Sequence, residues 1–162
     1  MNPRADRRVH EAICQSANDD LRCLLAESES IDEDIRATLL GDPSPAVRGS
    51  MAEATTDPRI LAKLVEDLDP KVRARAAVNS LTTREQRRRL ARDRSAPVRW
   101  TLVQAVELEE ESLDHLVNDR SINVRFWLAT APETPHRHLR VLAEDKSAEV
   151  RTQARMMLGF TE

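Results

Sequence analysis

One pattern of apolar and polar positions recurs along the chain about every 26 residues. Each copy is marked by a valine followed by an arginine, at positions 47–48, 72–73, 98–99, 124–125 and 150–151. Leu21 and Arg22, 26 residues before Val47, form a degenerate sixth copy. A fixed period of about 20–50 residues is typical of stacked structural repeats. We therefore expect six repeats in one helical-repeat domain that spans residues 1–162.

Each repeat is predicted to contain two short helices. Apolar residues stand at the marker valine, four residues after it, and seven or eight after it, which is one face of a helix that we call helix B. Others stand eight and seven residues before the valine and mark the inner face of a preceding helix A. At the first of these positions stand Ile13, Leu39, Leu64, Leu90, Leu116 and Leu142. Helix A has about three turns at most and is short enough to be partly 3₁₀.

The residues that flank the helices agree with this division. Three residues before each marker valine stands a side chain able to accept a hydrogen bond from a first-turn N–H of helix B. These N-cap residues are Asn18, Ser44, Asp69, Ser95, Ser121 and Ser147. Proline follows at 45 and 70, where its missing N–H costs nothing. We expect Asp57-Pro58 and Thr134-Pro135 to begin helix A in the same way, and Gly159 to end the last helix.

The arginine of each marker pair lies in the first turn of helix B, where the helix dipole disfavours a cation. Its recurrence indicates an anion nearby, and an aspartate stands six residues earlier, just after helix A. These pairs are Asp42 and Arg48, Asp67 and Arg73, Asp93 and Arg99, Asp119 and Arg125, and Asp145 and Arg151. In a stack of repeats, each aspartate can also reach the arginine of a neighbouring repeat. We predict a structural ladder of alternating charges, because a catalytic site requires one copy to differ and the aspartates would neutralise a phosphate site.

The stretches "LAEDKSAEVRTQA" and "LARDRSAPVRW" resemble the leucine-rich repeat variant family, a relative of the HEAT and armadillo repeats. The resemblance covers roughly residues 5–160. It implies an all-α, right-handed solenoid of alternating α-helices and shorter, often 3₁₀, helices without a sheet. It also implies binding of other macromolecules and carries no catalytic residues. The first repeat departs from the pattern, since Ser16 stands in place of the aspartate.

A cluster of arginines breaks the repeat at helix A of the fourth copy. We call this the arginine cluster; it comprises Arg84, Arg87, Arg88, Arg89, Arg92 and Arg94. One interpretation is a solvated helix face. The other is a contact for an acidic protein surface or for phosphates, although the net charge of -3 and the lack of nearby stacking aromatics disfavour nucleic acid.

Aromatic residues form a second departure. Trp100 and Phe126 stand two residues after the marker valine, about 200° around helix B from it, and should point away from the core. Adjacent repeats would place them side by side, and Val78 and Met156 would extend the same stripe. We predict a partner-binding surface there; the alternative is that a loop or packing within the protein covers it. Trp127 is expected nearer the core.

Residues 107–112, "ELEEES", form an acidic segment after the aromatic repeat. The simpler interpretation is a solvated loop that begins a helix A. The alternative is self-association, in which the segment pairs with the arginine cluster of a second copy. The sequence leaves the oligomeric state open.

Motifs for catalysis, cofactors and metals are not found, so we expect neither an enzyme nor a bound cofactor or metal. No apolar run approaches the roughly 20 residues of a membrane helix, and the N-terminus lacks a secretory signal. Cys14 and Cys23 do not make a disulfide framework, which favours a cytoplasmic location.

The sequence therefore favours a non-enzymatic interaction module that binds a protein through Trp100 and Phe126, flanked by the arginine cluster. The alternative is a solenoid that binds nucleic acid through residues 84–94. A weaker third hypothesis, suggested by the resemblance alone, is a solenoid enzyme that acts on DNA bases.

Overall fold

The computed structural model describes residues 3–28, 30–105 and 107–160, with the side chains of residues 3–5 left aside. This part of the chain contains twelve α-helices and no strand, so the all-α prediction is confirmed. The chain divides into two compact units, Met1–Thr82 and Thr83–Glu162. The helices of the first unit are α1 Pro3–Cys14, α2 Asp19–Ala26, α3 Glu33–Leu40, α4 Pro45–Ala54, α5 Pro58–Leu64 and α6 Pro70–Val78. Those of the second are α7 Arg84–Leu90, α8 Ala96–Ala105, α9 Glu110–Leu116, α10 Ile122–Thr130, α11 His136–Leu142 and α12 Ala148–Met157.

Odd-numbered helices correspond to helix A and even-numbered helices to helix B. From α3 onward, helix A has only seven or eight residues, but it is α-helical throughout the described segments. The expectation that helix A is partly 3₁₀ therefore holds only for single hydrogen bonds at its ends. Bonds of 3₁₀ type occur at the start of helix A, as from Ser112 N–H to the Glu109 carbonyl at 2.9 Å, and at its exit, as from Asp119 N–H to the Leu116 carbonyl at 3.0 Å. This tighter turn ends helix A at the aspartate.

The core follows the predicted apolar positions. The marker valines Val47, Val72, Val98, Val124 and Val150 are fully buried. From the second repeat onward, so are the leucines eight residues earlier, Leu39, Leu64, Leu90, Leu116 and Leu142. Each such side chain contributes roughly 1.5–3 kcal/mol by leaving water. The first repeat is looser, because Leu21, in the valine position, is 42% exposed.

Helices B pack side by side within each unit. In the first unit α4 lies between α2 and α6, and in the second α10 lies between α8 and α12. Gly49 shows which residues meet at such a contact, since a Cβ added there would lie 3.4 Å from Arg75 Cγ on α6. On α4, the position two residues after the marker valine therefore faces the next helix B, not open solvent.

The predicted helices B begin at the expected residues, but only some of the N-cap side chains accept the expected hydrogen bond from a first-turn N–H. Asn18 and Asp69 accept hydrogen bonds from first-turn N–H groups, as expected. Ser44, Ser121 and Ser147 have N-cap backbone angles, but their side chains make no cap bond. The Ser44 hydroxyl instead donates to Asp19 Oδ2 at 2.6 Å.

The remaining boundary residues behave in three ways. Pro45, Pro58 and Pro70 stand at the first position of their helices, as predicted. Helix α11 has Pro135 as its N-cap, because the hydroxyl of Thr134 instead donates to the Leu128 carbonyl at 2.7 Å. At the last helix, Gly159 has a φ of 81°, which L-residues with a side chain rarely adopt, and so ends α12 as expected.

Candidate functional site

Ion pairs between arginine and aspartate join successive repeats inside each unit. The guanidinium of Arg99 donates to Asp119 from Nε at 2.6 Å and from Nη2 at 2.7 Å. Both side chains are almost fully buried, at 4% and 3% exposed. The same two-bond fork joins Arg22 to Asp42, Arg48 to Asp67 and Arg125 to Asp145. Two parallel bonds fix the position of one repeat against the next as well as stabilising the contact.

The aspartate six residues before each arginine is contacted through its backbone. Arg99 Nη1 donates to the carbonyl oxygen of Asp93 at 2.6 Å, and Arg125 Nη1 does the same to Asp119. Of the two pairings that the sequence allowed, the carboxylate pairing within one repeat is therefore wrong and the pairing between neighbouring repeats is observed, because the Asp119 carboxylate is turned toward the arginine of the preceding repeat. In the first repeat Arg22 donates to the carbonyl of Ser16. A backbone acceptor explains why serine serves there as well as aspartate.

The ladder carboxylates also shape the loop between helices A and B. Asp119 Oδ1 accepts the N–H of Ser121 at 2.7 Å, and the equivalent bond recurs in the other four aspartate-bearing repeats. Burial raises the pKa of the Asp119 carboxyl, but the hydrogen bonds and charge of Arg99 and the N–H of Ser121 more than offset it. The pKa therefore lies below its ordinary value, and the pKa values of Asp67 and Asp145 are lowered for the same reasons.

Three ladder residues remain to be placed. Arg73 donates from Nη1 to the carbonyls of Asp67 and Leu68. Asp93 Oδ1 accepts the N–H of Ser95 at 2.8 Å. Arg151 donates to the carbonyl of Asp145 at 2.5 Å.

The arginine cluster lies against the acidic segment of the same chain. Arg84 Nε is 3.5 Å from a Glu109 carboxylate oxygen. Glu111 lies 3.3 Å from Arg88 Nε and 3.0 Å from Arg92 Nη2. Both features belong to the second unit, where α7 packs on α9. The acidic segment thus offsets part of the positive charge that the sequence presented as a free surface.

The other cluster members differ in their surroundings. Arg87 is half-buried and donates to the backbone carbonyl of Glu107 at 3.5 Å, whereas Arg89 and Arg94 are exposed. Gln86, which replaces an apolar residue of other repeats, forms a capping box with Thr83 and so stabilises the start of α7.

The predicted aromatic surface is only partly exposed. Trp100 on α8 and Phe126 on α10 are half-buried, because their position faces the neighbouring helix B. Trp127, expected nearer the core, is also half-buried, and its ring packs edge-on against Phe126 with centroids 5.9 Å apart. Met156 on α12 is 62% exposed, and Val78 on α6, in the first unit, is 37% exposed.

An open cavity of about 450 Å³ lies beside Trp127, at the end of α8 and α10. Its walls include Val103, Pro132 and the exposed side chains of Glu107 and Glu133. Neither carboxylate is in an ion pair with any residue that the structure describes. An indole beside unpaired carboxylates suits an apolar side chain that is flanked by a cation.

A row of cations was missed at the sequence level. Arg94, Arg120 and Lys146 each directly follow a ladder aspartate, and all three are exposed. The equivalent residues of the first unit, Pro43 and Leu68, are uncharged. The sequence signal for this row is the 26-residue spacing of Arg94, Arg120 and Lys146.

A second open cavity, of about 500 Å³, lies beside this row. Its walls include Arg92, Arg94, Arg120, His115 and Asn118.

No group of three or more metal-ligating side chains occurs within the described segments, and none of their helices is long and apolar enough to cross a bilayer. Cys14 and Cys23 are unbonded and half-buried.

Comparison with known proteins finds no family model that matches this chain, and no curated protein or solved structure that is significantly similar to it.

Proposed function

We propose that this chain is a non-enzymatic, protein-binding helical-repeat module. In this proposal its repeats stack as a right-handed solenoid of the leucine-rich repeat variant type. The side-by-side packing of helices B within each unit and the 26-residue recurrence of the ladder support the proposal. An array in which each repeat contacts its neighbours presents extended surfaces that suit macromolecular partners.

The observation that carries the proposal is the position of the aromatic residues. Of the four in the chain, Trp100, Phe126 and Trp127 lie on the adjacent helices α8 and α10, and none of the three is fully buried. Partly exposed aromatics are typical of binding hot spots, because each offers a large apolar area at a small cost in conformational entropy. Trp127 also lines the open cavity.

The ladder supports the same function by keeping this surface rigid. Arg99 on α8 is bonded to Asp119 in the loop that leads into α10, and Arg125 on α10 is bonded to Asp145. A surface held in place before binding loses little entropy when a partner docks. The nucleic-acid alternative has weaker support, because Glu109 and Glu111 offset part of the charge of the arginine cluster.

The test is quantitative capture of partners from extracts of the source cells by the wild-type protein, W100A/F126A and W127A. A matched control, V9A/V141A, removes exposed apolar side chains of two other helices, α1 and α11. Circular dichroism melting verifies that each variant remains folded. We expect a captured protein that is resistant to nuclease, retained by the control and lost by the aromatic variants.

A photo-crosslinking residue placed at Gln104, in the wall of the cavity, should label that same protein. If folded aromatic variants keep every captured protein, or if nuclease releases them all, the proposal is wrong.

A further inference from the structure

The walls of the open cavity beside Trp127 carry two negative charges and no positive one. Glu107 and Glu133 are the charged residues among its described walls, and both are exposed. The remaining wall residues are uncharged. The charge of the walls therefore favours a cation as the group that enters the cavity.

The two carboxylates stand at the same place in adjacent repeats. Each lies nine residues after its marker valine, in the loop that follows α8 or α10. The other repeats have uncharged residues at this register, namely Ser30, Thr56, Leu81 and Gly159. The carboxylates thus occur only in the two repeats that also carry Trp100, Phe126 and Trp127.

The nearby cations of the protein are bonded to other groups. The other three glutamates of the acidic segment have arginine partners: Glu109 with Arg84, Glu110 with Arg137, and Glu111 with Arg88 and Arg92. Glu107 accepts a bond from Arg87 at its backbone carbonyl, at 3.5 Å, and not at its carboxylate. Because Arg87 is not a wall residue, none of the described cations occupies the cavity.

The uncharged walls suit the apolar part of a long side chain. Val103, Ala131 and Pro132 supply aliphatic surface, and the half-buried indole of Trp127 supplies an aromatic one. The Thr130 hydroxyl donates to the Trp127 carbonyl at 2.8 Å, so its proton is already used within the protein. An indole ring attracts a cation, and the aliphatic stem of a basic side chain packs on apolar walls.

Among basic side chains, arginine fits these walls better than lysine. Its planar guanidinium stacks on aromatic rings and has five N–H donors, so one group is able to bond to two carboxylates. The lysine ammonium is a compact, more strongly hydrated charge that cannot stack. Arginine is also enriched among the residues that dominate protein interfaces.

We propose that the cavity binds an arginine side chain of the partner protein, an inference that rests on the proposed protein-binding function. The stem of this arginine packs on Val103 and Ala131. Its guanidinium stacks on Trp127 and pairs with Glu107 and Glu133.

The test is a titration followed by the indole N–H signals in two-dimensional NMR spectra. The chain has two tryptophans, and the variant W100F assigns their signals. The probe is N-acetylarginine methylamide, compared with the same derivatives of lysine and of citrulline, the neutral isostere of arginine. We expect the arginine probe to shift the Trp127 signal with a dissociation constant of about 1–10 mM. The lysine probe should bind more weakly, and the citrulline probe should leave the signal unchanged.

Charge variants test the two carboxylates. E107Q/E133Q should weaken binding of the arginine probe about fourfold, since two exposed ion pairs each contribute a factor of about two. The control E27Q/E149Q makes the same change of net charge at two exposed glutamates outside the cavity walls and should bind like the wild type. Circular dichroism verifies that both variants are folded.

Four results would each overturn the proposal: no saturable shift of the Trp127 signal, tighter binding of the lysine probe, equal binding of the citrulline probe, or equal weakening by both charge variants. A partner that is captured through Trp127 while the arginine probe leaves the Trp127 signal unchanged would refute this inference and keep the proposed function. Binding of the arginine probe without any captured partner would have the opposite meaning. Where both hold, the arginine probe should release the partner and the citrulline probe should not.

Discussion

Arg99 and Asp119, twenty residues apart, are joined by two parallel hydrogen bonds of 2.6 and 2.7 Å in the interior of the second unit. Arg99 also donates to the backbone of Asp93, so one guanidinium connects the loop of its own repeat with the loop of the next. Because this pair is buried, loss of one partner should lower the free energy of unfolding more than loss of a partner in a surface pair.

Removing one partner of this pair should destabilise the protein strongly. D119A leaves Arg99 buried without a carboxylate, and we expect the free energy of unfolding to fall by about 3–5 kcal/mol. E110Q, which breaks the exposed pair with Arg137, should cost less than about 1 kcal/mol. Urea unfolding followed by circular dichroism measures both.

Because D119A alone is able to abolish folding, the double variant R99M/D119L is the companion measurement. Replacing both charges by apolar groups should restore much of the lost stability. A double variant no more stable than D119A would show that the charges themselves are not the cause.

Acid should weaken the ladder. The pKa values of Asp67, Asp119 and Asp145 are lower in the folded protein than the ordinary value of about 3.9. Carboxylates with a lowered pKa stabilise the fold above the unfolded pKa, and the gain is lost as pH falls through the folded pKa. We expect the contribution of these groups to unfolding free energy to be constant from about pH 5 to 7 and to decline below about pH 4.

Urea midpoints measured between pH 2 and 7 test this directly. The acid loss should be smaller in R99M/D119L, which lacks one of the three carboxylates. An equal loss in that variant and the wild type would assign the acid sensitivity to other groups.

The N-cap residues should differ in their effect on stability. D69A removes a bond to the Lys71 N–H and should cost about 1 kcal/mol. S121A removes a hydroxyl that makes no cap bond and should cost less than about 0.5 kcal/mol. Thermal or urea unfolding compares the two, and a large effect of S121A would contradict the observed hydroxyl orientation.

Releasing the arginine cluster should expose its charge. In E109Q/E111Q the carboxylates near Arg84, Arg88 and Arg92 become neutral amides. We expect the variant to elute from heparin at a higher salt concentration than the wild type. The control E27Q/E133Q makes the same change of net charge at two glutamates outside the acidic segment, and an equal shift in both would mean that net charge alone matters.

The sequence was sufficient for the features that depend on periodicity. The all-α class, the helix boundaries and the buried positions such as Val98 and Leu90 follow from apolar residues at fixed intervals. Helix ends could also be predicted where a residue type has one typical role, as for Pro70 at the start of α6 and Gly159 after α12.

Features that depend on contacts between repeats could not be decided from the sequence, which allowed each arginine an aspartate of its own repeat or of a neighbouring one. The aspartate that serves Arg99 is twenty residues ahead rather than six behind, and only the packing of adjacent helices decides between them. Trp100 was predicted to be exposed from its angle around a single helix, but it is half-buried because a neighbouring helix covers part of it. The pairing of Arg88 with Glu111 likewise depends on how α7 lies against α9.

Four of the ladder arginines, Arg22, Arg48, Arg99 and Arg125, bond in one direction along the chain, with a backbone acceptor behind the arginine and a carboxylate ahead of it. Any copy therefore fits between any two others, provided that it carries both groups. Gain or loss of whole 26-residue cassettes would leave no arginine stranded, so the length of such a protein is free to change during evolution while its interior chemistry stays the same.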